Sequence, residues 1–491
     1  MDAEASLGDV NLATVKSRSI SGIVTLISRS FVIQLISTLG FFLLSVFLAR
    51  PEIGLFIAVN ELVSILGYFS DIGLAASLIQ KKDKVTLTDL RTTFTLQQIL
   101  VLLLLLITVA ISPWLFSYYH VTGSGIWLFF SLLTAFFLAS LKTIPSVVLE
   151  RQLRFEILAF VEIIETLIFY LIAVTLAWQG RGVASYAWAV LLRGFVGTSL
   201  IYFLAPWQIG LALSKTSLRS LLSFGLPYQI NTLMAVVKDR FLNIFLWKII
   251  GADGVGIIGW AQTWSQKPLR FIMDNVTKVT FPGFARLQDH PEELKKGIEK
   301  TLFFISLVTF PIVGGLAMLA PSLVGLIPRY SKWEAALIPL ALFCFNSAWA
   351  AVSTPLTNTL NALGLVKINT YLMIMWTALA WILTPYMAVK FGFTGVAYAS
   401  VLISFTSIIP VIIVKKLTHF SLYDSVLKPT IATIIMILVS YLLTVTISVS
   451  FINLILNIIV SGLVYALVIY GLVGPVFLTD VKKLFAVFKN K

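Results

Sequence analysis

The stretch QTWSQKPLRFIMDNVTKVTFPGF, Gln262–Phe284, is apolar enough to lie in a membrane, yet it carries Lys267, Arg270, Asp274 and Lys278. At about 100° per residue, these four side chains fall within roughly 80° of one another on a helix. Each such charge costs about 2.5–3.5 kcal/mol at the centre of a bilayer. The pattern therefore predicts a basic strip, made of these four residues, that faces water or an anionic ligand. The alternative is a set of structural ion pairs between Asp274 and Arg270 or Lys278.

The rest of the chain is similarly apolar. Of its 491 residues, 58% are hydrophobic and 12% are charged, and the mean hydropathy is +0.96. Soluble domains carry about 25% charged residues, so this composition indicates a polytopic membrane protein. The net charge of +14 is attributed to membrane topology and an embedded site rather than to nucleic acid binding. With one cysteine, Cys344, and three dispersed histidines, the sequence predicts no internal disulfide, metal cluster or cofactor.

Windows of about 20 apolar residues recur along the chain and lack the alternation of barrel strands, so they predict membrane helices. The expected fold class is an all-α polytopic membrane protein with about fourteen transmembrane helices, arranged as two six-helix halves plus two C-terminal helices. The predicted spans are 22–49, 53–79, 93–118, 125–148, 156–179, 183–205, 221–249, 255–284, 299–328, 333–360, 366–389, 395–415, 428–450 and 452–475.

Lysine and arginine predict the orientation of these spans. Basic residues are enriched in cytoplasmic loops, and here they occur mainly in every second loop and at both termini. Both termini are therefore predicted to be cytoplasmic, and the outer loops are short. The predicted outer loops contain only Arg50, Arg181, Arg329, Lys332 and Lys390.

Two pairs of segments indicate an internal repeat of six spans. FLARPEIGLFIAV, which includes Gly54, resembles WKIIGADGVGIIGWA, which includes Gly256. GRGVASYAWAVLL, after Gln179, resembles FTGVAYASVLI, after Gly392. Because six is even, the halves are expected to be related by an axis along the membrane normal. The predicted organisation is an N-terminal segment at 1–21, the first half at 22–205, a linker at 206–220, the second half at 221–416, two additional helices at 417–475 and a basic tail at 476–491.

Polar side chains concentrate in the predicted spans 1, 2, 7 and 8, which are equivalent hairpins of the two halves. In transporters built from parallel repeats, such hairpins face one another across a central cavity. The candidate ligand-binding residues are Lys267, Arg270, Lys278, Lys238, Arg29 and Asn231. The candidates for ion coupling or gating are Glu61, Asp71, Asp274 and Asp239.

Several of these residues have a structural alternative. Arg29, Arg193 and Lys248 can extend to a membrane surface, and Asp71 can cap a helix. Glu162 and Glu165 form either part of a site or structural ion pairs, for which the expected partners are Arg151, Arg154 and Lys142. Aromatic residues can contact a ligand or simply pack or anchor the protein at the membrane interface. The aromatic candidates are Trp260, Trp264, Tyr68 and Tyr228.

Two local motifs carry a resemblance to a known family. DIGLAASLIQKKD, Asp71–Asp83, is similar to a segment that ends the second span of the family, and VVLERQLRFEILAFVE, Val147–Glu162, is similar to its Arg-x-Leu-x-Phe joint. Together with the six-plus-six-plus-two spans, these motifs make the chain resemble the polysaccharide flippases of the multidrug/oligosaccharidyl-lipid/polysaccharide exporter superfamily. The similarity is greatest to the branch that includes the colanic-acid-type exporters. The chain departs at Arg50–Glu52, where many relatives have Gly-Pro.

The resemblance implies a V-shaped alternating-access transporter and not an enzyme. It implies transport of an undecaprenyl-pyrophosphate-linked oligosaccharide from the inner to the outer leaflet of the bacterial inner membrane. Expected partners are this glycolipid, polysaccharide polymerase and the chain-length machinery. The alternatives are a multidrug exporter or a peptidoglycan-precursor flippase of the same superfamily, or a membrane polysaccharide polymerase or ligase. The short outer loops disfavour the last of these.

Overall fold

The computed structural model describes residues 12–81, 84–236 and 240–474, which form helices and turns without a strand. The chain divides into two compact units, Met1–Gly256 and Ile257–Lys491. The helices of the first unit are α1 (Leu12–Phe47), α2 (Arg50–Asp71), α3 (Leu74–Gln80), α4 (Leu87–Tyr119), α5 (Ser124–Leu141), α6 (Thr143–Arg151), α7 (Phe155–Trp178), α8 (Ala184–Leu204) and α9 (Lys215–Val236).

Helix α10 (Leu242–Arg286) begins in the first unit and extends into the second. A 3₁₀ turn at Ser331–Ala336 and a short π-helix at Tyr423–Leu427 precede two helices of the second unit. The remaining helices of this unit are α11 (Pro291–Leu326), α12 (Leu337–Ala362), α13 (Val366–Phe405), α14 (Ile408–Thr418), α15 (Lys428–Thr446) and α16 (Phe451–Val473).

Helix α4 illustrates how these sequences form membrane helices. Its start is capped by Thr86, whose hydroxyl accepts from the Asp89 amide at 3.1 Å while the Asp89 carboxylate accepts from the Thr86 amide at 3.0 Å. Along the helix, Thr92 and Thr93 are buried, whereas Leu106 is 69% exposed. This inversion, with leucine outside and small polar residues inside, suits a helix that is surrounded by lipid.

The predicted number of spans is confirmed. In the described part of the chain, twelve helical stretches are long and apolar enough to cross a membrane. One of them, 366–418, contains two predicted spans separated by a bend at Gly392. With that stretch counted twice and with α9 as the start of span 7, the described helices account for fourteen spans.

Two of the predicted outer turns contain a glycine in the left-handed region. Gly251 interrupts α10 with φ 68° and ψ 177°, and Gly392 interrupts α13 with φ 60° and ψ −142°. Side chains with a Cβ rarely adopt these angles, whereas glycine does so without strain. In each case the helical backbone is interrupted at one glycine, between two spans that the sequence predicts to be consecutive.

The two C-terminal helices are joined by a buried polar contact. The Asn457 side-chain amide donates to the Ser440 carbonyl oxygen and to Thr444 Oγ1, both at 3.0 Å, and its oxygen accepts from Ser461 Oγ at 2.9 Å. Because lipid offers no hydrogen-bonding partner, such a side chain holds one helix to the next.

We expect Asn457→Leu to destabilise the purified protein modestly. Hydrogen bonds between membrane helices are worth about 0.6 kcal/mol on average and up to about 1.7 kcal/mol. The melting temperature of the full chain in detergent, followed by circular dichroism, measures this effect. Leu456→Ala on the lipid-exposed face of the same helix is the control. An Asn457→Leu protein as stable as this control would contradict the role of the contact.

Candidate functional site

The basic strip lies along one face of α10, within the second unit. Arg270, Asp274 and Lys278 recur every four residues and are all exposed. Lys267 is partly buried, with its ammonium 5.4 Å from the centre of the Trp264 ring. The opposite face is anchored by buried Leu269, Ile272 and Met273, which belong to the core of this unit. The core therefore fixes the rotation of α10, and Arg270, Asp274 and Lys278 lie exposed on its other face.

Within the strip, charges are not neutralised by one another. Among the described residues, no ion pair within 4.0 Å joins Asp274 to Arg270 or Lys278, so the structural ion pairs considered as an alternative are not formed. Arg270 Nη2 instead donates to Gln266 Oε1 at 2.9 Å. With three bases and one acid, this face carries an excess of positive charge. It can therefore accept an anionic group without first breaking an ion pair of the strip.

The polar residues of α2 are engaged within the first unit. Glu61 Oε2 accepts from Arg240 Nη1 at 2.5 Å, a pair that the sequence analysis did not foresee. Asp71 Oδ1 accepts from the Ala75 amide at 3.1 Å, which matches the helix-capping alternative at the start of α3. The Tyr68 hydroxyl donates to the Gln229 carbonyl, so that α2 is bound to α9.

Three of the predicted site residues lie wholly or partly outside the described residues. Lys238 and Asp239 lie outside the described residues, and Asn231 lies in α9 with a side chain that is also outside them. Their roles remain predictions.

A second charged cluster connects α1, α5, α7 and α8 in the first unit. Glu165 pairs with Lys142 and, at 3.8 Å, with Arg193, and Glu162 pairs with Arg29 at 3.2 Å. A cavity of about 280 Å³ lies beside these side chains. The expected pairing of Glu165 with Lys142 is found. Glu162, however, has Arg29 as its partner, rather than one of the bases at the end of α6.

Two of the aromatic candidates, Trp260 and Tyr68, contact other residues of the protein. Trp260 is 3% exposed, stacks on Trp333 with ring centres 5.0 Å apart, and donates from Nε1 to the Tyr330 hydroxyl at 3.2 Å. Tyr68 is held by its bond to α9. Trp260 is therefore not available to a sugar ring, and the packing alternative is correct for it.

Comparison with known proteins gives three consistent findings. The family model described as "Polysaccharide biosynthesis protein" matches residues 43–338. The chain is 22% identical to an "uncharacterized membrane protein in cps region" of Klebsiella pneumoniae, over 94% of this chain and 95% of the relative. It is 26% identical to the lipopolysaccharide biosynthesis protein WzxC of Escherichia coli K12, over 36% of this chain and 35% of that protein.

A solved structure has a similar fold. The lipid II flippase MurJ in an inward closed conformation superposes with a TM-score of 0.74 and 15% identity, over 93% of this chain and 99% of MurJ. At this identity the likeness concerns the arrangement of the helices alone.

Proposed function

The chain belongs to the polysaccharide biosynthesis protein family, and from this premise we propose that it moves an undecaprenyl-pyrophosphate-linked oligosaccharide from the inner to the outer leaflet of a bacterial plasma membrane. In this proposal both termini are cytoplasmic, and the basic strip on α10 binds the pyrophosphate. Polysaccharide polymerase and the chain-length machinery are proposed to receive the product.

The excess of positive charge on the exposed face of α10 is the observation that supports this proposal. Arg270 and Lys278 are exposed on a membrane helix and lack an ion-pair partner among the described residues. Each charge would cost about 2.5–3.5 kcal/mol at the bilayer centre, unless water or a ligand solvates it. A pyrophosphate presents several anionic oxygens, to which arginine donates in a bidentate fork and lysine as a point charge. The match of charge and donor type favours a phosphorylated lipid over a cationic drug.

The mechanism that we propose is alternating access. The diphosphate is captured from the cytoplasmic side on Lys267, Arg270 and Lys278 of the basic strip. Lys238, Arg29 and Asn231 belong to the first unit, and their part in binding stays a prediction. The polyprenyl tail stays in lipid while the head group crosses. A negative-inside membrane potential favours outward movement of each uncompensated negative charge by about 2.3 kcal/mol per 100 mV.

Ion coupling is a second element of the proposal. Glu61, Asp71, Asp239 and Asp274 are the carboxylates that can take up a proton or a sodium ion. For Glu61, uptake requires release from Arg240, because one carboxylate oxygen now accepts from that guanidinium.

We expect Lys267→Ala and Arg270→Ala to reduce surface polysaccharide several-fold and to accumulate the lipid-linked precursor in the inner leaflet. The measurement is complementation of a bacterial strain that lacks its own flippase, at matched membrane abundance. Arg270→Lys is expected to be intermediate, since it keeps the charge but loses the bidentate fork. Lys296→Ala, an exposed base at the start of α11, is the control.

Two results would contradict the proposal in different ways. If the alanine variants export as well as the wild type, the basic strip is not the head-group site. If the wild type exports nothing in strains with several different sugar repeats, the transported substrate is not a lipid-linked oligosaccharide of this kind.

A further inference from the structure

A cavity of about 450 Å³ lies among turns of the first unit that the sequence predicts to be outer turns. Its volume is within the range of small-molecule sites, about 300–1,000 Å³. It is lined by the turns before α2, after α4 and within α10, all inside the first unit. The residues used below are Glu52, Tyr118, Tyr119, His120, Trp247 and Lys248. We call this space the outer cavity.

Aromatic rings form part of the wall of the outer cavity. The Tyr119 ring stacks on Trp247 with centres 4.4 Å apart, and Trp247 is only 4% exposed beneath it. Tyr118 is 41% exposed. The Lys248 ammonium lies 4.1 Å from the centre of the Tyr118 ring and donates to the Tyr118 carbonyl oxygen at 2.7 Å. The Tyr119 ring is thus held in place by Trp247, and the Tyr118 ring by Lys248.

A carboxylate and an ammonium line the same cavity without neutralising each other. Glu52 Oε2 accepts from the Ala49 amide at 2.7 Å, and no ion pair joins Glu52 to Lys248 or to another base among the described residues. A Cβ at Gly182, which has φ +56°, would lie 2.4 Å from Glu52 Oε1. The glycine therefore leaves room for the carboxylate. His120, exposed at the end of α4, adds a further polar group.

We propose that the outer cavity binds a sugar residue of the transported oligosaccharide on the side where the flipped molecule emerges. This inference rests on the proposed function. A pyranose presents hydroxyl groups around its edge and apolar C–H groups on its faces. The edge requires both donors and acceptors, which Lys248, His120 and Glu52 provide. The faces require a fixed apolar surface, which the Tyr119 ring, stacked on Trp247, provides.

The combination of groups favours a saccharide over an acyl chain. An acyl chain would fill the cavity with hydrocarbon and would remove water from Glu52 and Lys248 without replacing its hydrogen bonds, which is costly. In this proposal the basic strip binds the diphosphate and the outer cavity binds the sugar.

The test measures binding of a lipid-free oligosaccharide to the full chain in lipid nanodiscs. The probe is the repeat unit released by hydrolysis from the polysaccharide that the wild type exports, and the readout is tryptophan fluorescence together with saturation-transfer NMR. We expect Lys248→Ala and Glu52→Gln to weaken binding about fivefold or more, as loss of one hydrogen-bond partner does. Thr122→Trp is expected to weaken binding by filling the cavity.

The matched control is Lys390→Ala. Lys390 lies in another predicted outer turn, and its ammonium lies 4.6 Å from the centre of the Tyr386 ring, so the substitution removes the same kind of contact away from the cavity. If the wild type exports but the probe does not bind, or binds equally to all variants with unchanged melting temperatures, the inference is wrong. If the variants lose phosphatidylethanolamine from the nanodisc instead of the sugar, the cavity is a lipid site. Failure of the proposed function would show separately, as absence of export by the wild type.

Discussion

Glu165→Ala is expected to destabilise the protein by about 3–5 kcal/mol, the usual cost of removing one partner from a buried ion pair. The Glu165 side chain is 5% exposed and contacts Lys142, which is 19% exposed, and its other oxygen lies 3.8 Å from Arg193. Removal of the carboxylate leaves the mostly buried Lys142 ammonium without this partner, whereas Arg193 is half exposed. Gly197 packs against this carboxylate so closely that a Cβ there would lie 1.6 Å from Oε1. Helix α8 can therefore pack against Glu165 because residue 197 has no side chain.

The measurement is thermal unfolding of the full chain in detergent, with membrane abundance as a second readout. Glu165→Gln is expected to be intermediate, because it keeps the shape and an acceptor for Lys142. The double variant Lys142→Met/Glu165→Leu is expected to recover much of the loss by removing both charges. Glu156→Gln is the control, since that carboxylate is exposed and lies 3.8 Å from Arg154. Equal stability of Glu165→Ala and the control would show that the cluster does not hold the helices together.

Gly54→Ala is the second substitution for which we expect a large effect. A Cβ at Gly54 would lie 1.8 Å from the Ala252 carbonyl oxygen, and one at Gly256 would lie 2.1 Å from the Arg50 carbonyl oxygen. Helix α2 and the first turns of α10 after Gly251 are thus in backbone contact. Beside this contact, Arg50 Nε is 3.0 Å from Asp253 Oδ1. Overpacking such a contact typically costs about 1–3 kcal/mol.

We expect Gly54→Ala to lower both the melting temperature and the export of polysaccharide at matched abundance. Gly67→Ala is the matched control, because Gly67 lies in the same helix and a Cβ there would meet nothing within 4 Å. An alanine in a helix interior is otherwise favourable by about 0.5–1 kcal/mol relative to glycine, so the control is expected to be neutral or slightly stabilised. Identical behaviour of the two variants would mean that α2 and α10 are not in tight contact.

Much of the fold could be predicted because lipid restricts what the backbone can do. Every amide in the bilayer must be bonded within its own helix, so apolar length alone indicates a span. The fourteen predicted spans agree with the described helices, and the single glycines at Gly251 and Gly392 lie in predicted turns. The family match also shows that the chain is a polysaccharide biosynthesis protein, as the resemblance carried by the motifs at Asp71–Asp83 and Val147–Glu162 had indicated.

The partners of the buried charges could be predicted only in part. The sequence shows which faces of a helix are charged, but a partner depends on how neighbouring helices are rotated and shifted. Glu165 of α7 pairs with Lys142, which directly follows α5, as expected. Helices α5 and α7 both pack against α8, and this brings the two side chains together. Glu162 of α7 pairs with Arg29 of α1, and Glu61 of α2 pairs with Arg240 just before α10. The spacing of residues in the sequence does not predict which helix packs against these faces of α7 and α2.

The repeat found in the sequence has a counterpart in one local contact. Gly54 and Gly256, which occupy matching positions in the two hairpin motifs, lie against each other's backbone. The six-span repeat itself stays a prediction from the sequence.

The single-glycine turns also constrain how the gene can change. An insertion of one residue within the helix that follows Gly251 would rotate the residues after it by about 100° and advance them by about 1.5 Å relative to those before it. Such a change would turn the Arg270 and Lys278 side chains in another direction, although the residues of the basic strip would be unchanged. Insertions and deletions in this helix are therefore expected to be poorly tolerated. Around Gly251 and Gly392, homologous proteins are expected to have no insertions or deletions, although the residue types there vary.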